Sequence, residues 1–190
     1  MTIGIDVIDK LKLDLAFDNH FDDDCWTVRT DSKLLVVDDD LTRKSRFSDD
    51  EMDEERALII INSHNKVITL ISIDHALIEN HPGGIADCAV MDDQKLAFVE
   101  FKTNAYGNSD ESIRDTFEKA SNQLKETLQV FGGKLTSLGV DLIEAMAVEC
   151  RIIVSHRYPK ASALKQDFRA LFAQETNGID LIFERLIEFV

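Results

Sequence analysis

Between Ala57 and Phe131 the spacing of apolar residues changes period, and that change constrains the fold more than any other feature of the chain. Residues 57–62, 67–73, 85–91 and 95–103 are short runs rich in aliphatic residues and Phe, separated by polar turns such as Ser63-His64-Asn65 and Asp92-Asp93-Gln94. Runs of this kind predict strands, paired as two antiparallel hairpins. Directly afterwards Ile113, Phe117, Ala120, Leu124, Leu128 and Phe131 recur at steps of four, three, four, four and three. That spacing places all six on one face of a helix. Ser109 fits its N-cap, and Gly132-Gly133 fits its end. The expected class is α/β: a mixed sheet with an antiparallel meander, flanked by helices.

The flanking segments extend this core. Residues 146–155 form a near-continuous apolar run suited to a central strand, and Leu164, Phe168, Leu171 and Phe172 mark a helix over 162–174. Residues 179–189 fit a strand or a short helix equally well. Near the N-terminus, Ile5, Ile8, Leu11 and Leu15 predict an amphipathic helix, and 26–29 and 33–37 predict short strands. Residues 38–55 are crowded with Asp and Glu around Arg43-Lys44-Ser45-Arg46, which predicts an exposed connection or partly ordered arm. The chain is thus expected to carry an N-terminal part, 1–56, packed as one unit with an α/β core over 57–190.

Charge and cysteine content limit the function classes. The chain of 190 residues has 36 Asp and Glu against 21 Lys and Arg, a formal charge of −15. Nucleic-acid binding through phosphates favours a basic face, so the balance calls for a local positive groove or a partner that supplies a basic surface. Three widely spaced cysteines, Cys25, Cys88 and Cys150, give neither a disulfide framework nor a zinc ribbon, which fits a reducing cytoplasm. The longest apolar run, Ala57–Ile61, is far short of the roughly 20 residues of a membrane span. Phosphate-loop, dinucleotide, serine-hydrolase and zinc-protease motifs are missing from the sequence.

Chemistry concentrates where charge enters the predicted strands. Glu100 and Lys102 are two apart and share one strand face, while Val99 and Phe101 take the other. A hairpin turn at Asp92-Asp93 brings Asp87 near Glu100, and two such carboxylates repel unless a cation or proton lies between them. Mg²⁺, or Mn²⁺, takes hard oxygen ligands and keeps several waters, so Asp87, Glu100 and the Phe101 backbone carbonyl suffice for a partial shell. Lys102 beside such an ion is placed to orient an attacking water and steady charge on a phosphate.

This arrangement resembles the PD-(D/E)XK nuclease superfamily and its restriction-endonuclease-like core. Asp87 matches the aspartate position, Glu100-Phe101-Lys102 the E-x-K position, and Asn122-Gln123-Leu124 the glutamine motif of RecB-like members. Ala86 stands where proline commonly precedes the aspartate. The resemblance implies a magnesium-dependent nuclease acting on DNA, or secondarily RNA, within a defence or nucleic-acid-processing complex. Asp87, Glu100, Lys102 and Gln123 would be its catalytic set. Asp74 is the favoured upstream acid, with Glu79 as an alternative and Glu51, Glu54 or Glu55 eligible only from a helix. A second class fits the acidic balance: a catalytically silent module of the same fold, a defence-system subunit or immunity protein, with its acidic surface on a protein partner. His75 and His81 read as solvated loop residues, Cys88 as a core residue and Trp26 as packing.

Overall fold

Among the residues described by the computed structural model, 5–18, 21, 24–107 and 109–190, ten strands form two sheets. In chain order the elements are α1 (Ile5–Leu11), α2 (Leu13–Phe17), β1 (Trp26–Arg29), β2 (Lys33–Asp39), β3 (Lys44–Ser48) and a 3-10 helix (Glu51–Glu55). They continue with β4 (Leu58–Asn62), β5 (Ile68–Ser72), β6 (Cys88–Met91), β7 (Lys95–Lys102), α3 (Asp110–Ser137) and α4 (Leu142–Ala145). The last are β8 (Ala147–Val154), α5 (Ser162–Glu175), β9 (Asp180–Ile182) and β10 (Leu186–Phe189). The larger sheet has the order β1-β5-β6-β7-β8-β9, the smaller β10-β4-β2-β3. In the larger sheet β1, β5, β6 and β7 are antiparallel neighbours. β8 and β9 follow in parallel, reached through α3 and α5.

Three layers result, and β7 shows why. Leu96 and Phe98 project into a core shared with α2, α3 and α5, whereas Ala97, Val99 and Phe101 project into a second core shared with the smaller sheet. A strand covered on both faces is apolar on both faces. The chain is therefore a mixed α/β protein with flanking helices. No helix among the described residues is long and apolar enough to cross a membrane.

Several expectations from the sequence change. The runs 57–62 and 67–73 do not pair as a hairpin: β4 lies in the smaller sheet and β5 in the larger. Buried Asn62 locks the corner between them, donating to the Asp31 and Lys66 carbonyls at 3.2 and 2.8 Å and accepting the Lys66 N–H at 2.9 Å. The acidic stretch 38–55 is the end of β2, then β3 and a 3-10 helix, not an exposed arm. Its acids serve as turn and cap acceptors: Asp39 accepts the Leu41 N–H and Asp50 the Met52 N–H. Nearby cations hold others, with Arg29 on Asp49 at 3.0 Å and Lys33 on Glu54 at 2.8 Å.

The N-terminal helix is two short helices broken at Lys12, whose φ is 53°. Leu15 is 57% exposed, while Leu13 and Phe17 are buried in its place. α3 runs through Gly132-Gly133 to Ser137, because buried Phe131 and Leu135 carry the apolar stripe past the glycines and outweigh their weak propensity. Residues 179–189 hold two strands, β9 and β10, in different sheets. The hairpin over 85–103 forms as β6 and β7.

Candidate active site

The site lies where the β6–β7 ladder opens. Cys88 pairs with Val99, and one step further along the same register Asp87 faces Glu100. Directly opposed residues share a face, here the helix face that Phe98 and Ala89 also line. At this point the ladder's hydrogen bonds go elsewhere. The Phe101 N–H donates to Asp87 Oδ2 at 2.5 Å, and the Ala86 N–H donates to Thr127 Oγ1 of α3 at 2.8 Å. In an extended strand the N–H and C=O of one residue point to the same edge, so the Phe101 carbonyl is directed to the edge that Asp87 occupies.

Glu100 is 1% exposed. Its Oε1 accepts from Lys102 Nζ, and its Oε2 has no hydrogen-bond partner among the described residues. Lys102 Nζ also donates to Gln123 Oε1 at 3.0 Å, and Gln123 Nε2 donates to the Ile85 carbonyl at 3.2 Å. Gln123 thus ties the lysine to the segment that precedes Asp87. That segment passes close under α3: Gly84 has φ +84°, and a Cβ there would stand 3.0 Å from the Gln123 side chain. Gln123, expected beside this site as the match to the glutamine motif, is thus joined to Lys102 and to the backbone two residues ahead of Asp87.

The electrostatics are those of crowded, dehydrated acids. Burial, then the Glu100 charge, then Asp38 push the Asp87 carboxyl well above its ordinary range, only partly offset by the Phe101 N–H and Lys102. Burial pushes Glu100 up to about 7, with Lys102 opposing and Asp38 and Asp74 adding to the rise. Asp38 itself is raised by burial and then by Asp40, Asp74 and Asp39. This fourth acid is the site residue the sequence reading missed. Leu34 and Val36 of β2 face the larger sheet, and Asp38 continues the same alternation. The signal was present as a period of two running into the acidic stretch.

Asp74, the expected upstream acid, follows β5, and its charge acts on both Glu100 and Asp38. It accepts the His75 N–H at 3.0 Å and lies 3.4 Å from His75 Nε2, which Arg43 contacts at 2.7 Å. Glu79 is exposed, Glu54 pairs with Lys33, and Glu55 pairs with Arg157 at 3.4 Å. Cys88 is buried, and Trp26 stacks on Phe21. Among the described residues, no group of three or more His, Cys, Asp or Glu side chains stands ready to hold a metal ion. What the site offers is a pair of opposed carboxylates and one orphaned, buried oxygen.

No family model, curated protein or solved structure matches this chain. Any functional reading therefore rests on the site itself.

Proposed function

We propose that the chain is a PD-(D/E)XK-type phosphodiesterase, a magnesium-dependent nuclease that hydrolyses DNA, with RNA as the second choice of substrate. The observation that carries this reading is the open end of the β6–β7 ladder. There Asp87 opposes Glu100, Glu100 Oε2 is buried without a partner, and Lys102 is held between Glu100 and Gln123. The element order supports a restriction-endonuclease-like core: antiparallel β5, β6 and β7 bear the acids, and α3 crosses to the parallel strand β8.

The fit to Mg²⁺ or Mn²⁺ is that of a half-built shell. Asp87, Glu100 Oε2 and the Phe101 carbonyl are hard oxygen donors, and such ions keep waters or substrate phosphate in their remaining positions. When bound, the cation supplies Lewis-acid charge beside a phosphoryl oxygen. The chain's own residues do the rest. Asp87 and Glu100 hold the charge balance of the site, and Lys102 presents an ammonium to the attacking water or the phosphate. Gln123 aims that ammonium by accepting from it while anchored on Ile85. Water attacks phosphorus in line and the opposite P–O bond breaks. The −15 charge of the chain makes a protein partner with a basic surface part of the proposal.

Glu100→Gln tests the reading. Mg²⁺-dependent cleavage of a plasmid or a single-stranded oligonucleotide is expected to fall on the order of a thousandfold, the several kcal/mol of a lost cation site. Circular dichroism of the variant should match the parent. Undiminished cleavage overturns the assignment.

One observation favours a second reading, a silent binding module of the same fold: no three side chains among the described residues are arranged around a cation. Calorimetric titration separates the two. Stoichiometric heat with Mg²⁺ or Mn²⁺ that disappears in Asp87→Ala supports the enzyme, and no binding at millimolar metal supports the module.

A further inference from the structure

We propose that the turn joining β2 to β3, residues 40–43, is a strap across the open end of the β6–β7 ladder, and that a cation or substrate reaches Asp87 and Glu100 only when this strap swings away. The inference deepens the nuclease reading and rests on it only for the chemistry that follows entry. Two contacts place the strap. Asn104 Nδ2, just beyond the end of β7 at Lys102, donates to Asp40 Oδ1 at 2.9 Å. Arg43 Nη2 donates at 2.7 Å to Nε2 of His75, just beyond the end of β5 at Ser72. In the sheet β6 lies between β5 and β7, and Asp87 directly precedes β6. A turn fastened beyond the ends of both flanking strands therefore crosses the gap where Asp87 and Glu100 face each other. Asp38, at the foot of the strap, marks the same crossing, since its charge acts on Asp87 and on Glu100.

The foot of the strap is fixed and its tip is not. Buried Ser45 pairs with Asp38 across the hairpin, and the Ser45 N–H donates to Ser72 Oγ of β5 at 3.1 Å. Beyond that hinge Asp40, Leu41, Thr42 and Arg43 are all exposed, Leu41 to 94%, so no apolar side chain roots the tip in either core. Both pins are exposed side-chain contacts, of a kind that contributes little in water. Arg56 stands 3.8 Å from Asp40 but is already held by Asp53 at 2.9 Å. Arg43 and His75 have φ of 56° and 59°, so the backbone is strained on both sides of their contact. A cavity of about 400 Å³, lined by Thr42, Lys44 and Ser45 of the hairpin and by Leu70 and Ser72 of β5, leaves the hairpin room to shift. Beneath the strap the case is opposite. Glu100 Oε2 is buried and unpartnered among the described residues, so a hydrated ion cannot meet it until something around it moves. Lys102 and Gln123 are clamped to each other and to Ile85, with Gln123 on a 28-residue helix. The strap is the part of the surroundings that opens with the least disruption.

A thiol reporter in the full chain tests the strap. Glu100→Cys places a cysteine beneath it, while the native Cys25, Cys88 and Cys150 are all buried and their labelling reports global unfolding instead. Asp87→Cys gives a second reporter at the same end, should the first variant fold poorly. With methyl methanethiosulfonate, read out by peptide mass spectrometry, the new thiol is expected to react far more slowly than a free thiol. Arg43→Gln combined with Asn104→Ala should speed it about 5- to 50-fold, the loss of two weak pins, with the native thiols no faster. The proposal is overturned if the reporter reacts at the free rate with both pins in place, if removing the pins leaves its rate unchanged, or if the native thiols accelerate equally. Reporter rates that follow the pins, in a chain whose native form shows no Mg²⁺-dependent cleavage, remove the nuclease reading and leave the strap standing. Mg²⁺-dependent cleavage with reporter rates indifferent to the pins does the reverse.

Discussion

The β6–β7 hairpin carries buried acids at both ends, and they behave in opposite ways. At the closed end Asp92 is 2% exposed. Burial pushes its carboxyl up, but Lys66 at 2.9 Å and the N–H groups of Gln94 and Lys95 at 2.9 and 2.7 Å together hold it below its ordinary value. At the open end Asp87 receives one N–H and Glu100 one ammonium, each acid faces the other, and both are raised. Burial is common to the two ends. The number of donors differs, and so does the presence of a like charge. A buried acid supplied with donors is a structural part. A buried pair left short of them is primed for a cation or a proton.

The largest effect that separates the two ends should appear in stability against pH. Glu100 has an ordinary value of 4.5 and is raised to about 7 in the folded chain. It therefore binds more protons folded than unfolded between those limits, and its contribution to stability falls as pH rises through that window. In metal-free buffer, Glu100→Gln should flatten the loss of unfolding free energy between pH 4.5 and 7 by about 3 kcal/mol. Urea unfolding at several pH values measures this, and parallel curves for variant and parent would sink it. Asp92 has the opposite sign: its stabilisation is present above the unfolded value and is lost as pH falls through the lowered folded value.

Next in size, Asp92→Ala should cost about 2 kcal/mol, because Lys66 and two turn N–H groups lose their acceptor. The urea midpoint should drop at neutral pH, while the proposed cleavage activity of the folded fraction stays unchanged. A variant as stable as the parent would show that the closed end does not depend on its donors. The smallest effect belongs to Gly84→Ala, about 1 kcal/mol for a side chain at φ +84°. The new Cβ also meets Gln123, so the proposed cleavage activity should fall along with stability. Unchanged stability and cleavage would mean that the helix gives way without consequence.

How legible these regions were in the sequence follows from how local their causes are. Asp87, Glu100, Lys102 and Gln123 were readable because a hairpin and a helix stripe are set by neighbours in sequence. Asp38 was not, because its role depends on the smaller sheet bringing β2 across the end of the larger one. The same limit hid the parting of β4 and β5: two aliphatic runs around a polar turn look alike whether they pair or cross between sheets. Only the buried Asn62 corner distinguishes them. β3 was obscured because Ser45, on the same face as Phe47, occupies a buried position where an apolar residue would have marked the alternation.

Gln123 and Thr127 sit one turn apart on α3, and each grips the backbone just ahead of Asp87, at Ile85 and Ala86. Gln123 also grips Lys102, so one rigid rod measures the gap between the arm that carries the aspartate and the arm that carries the lysine. The rise of that turn is fixed by backbone geometry, about 6 Å over four residues. The jaw of the site is thus gauged before anything enters it. A change that slides the helix by a single residue would misalign both arms at once.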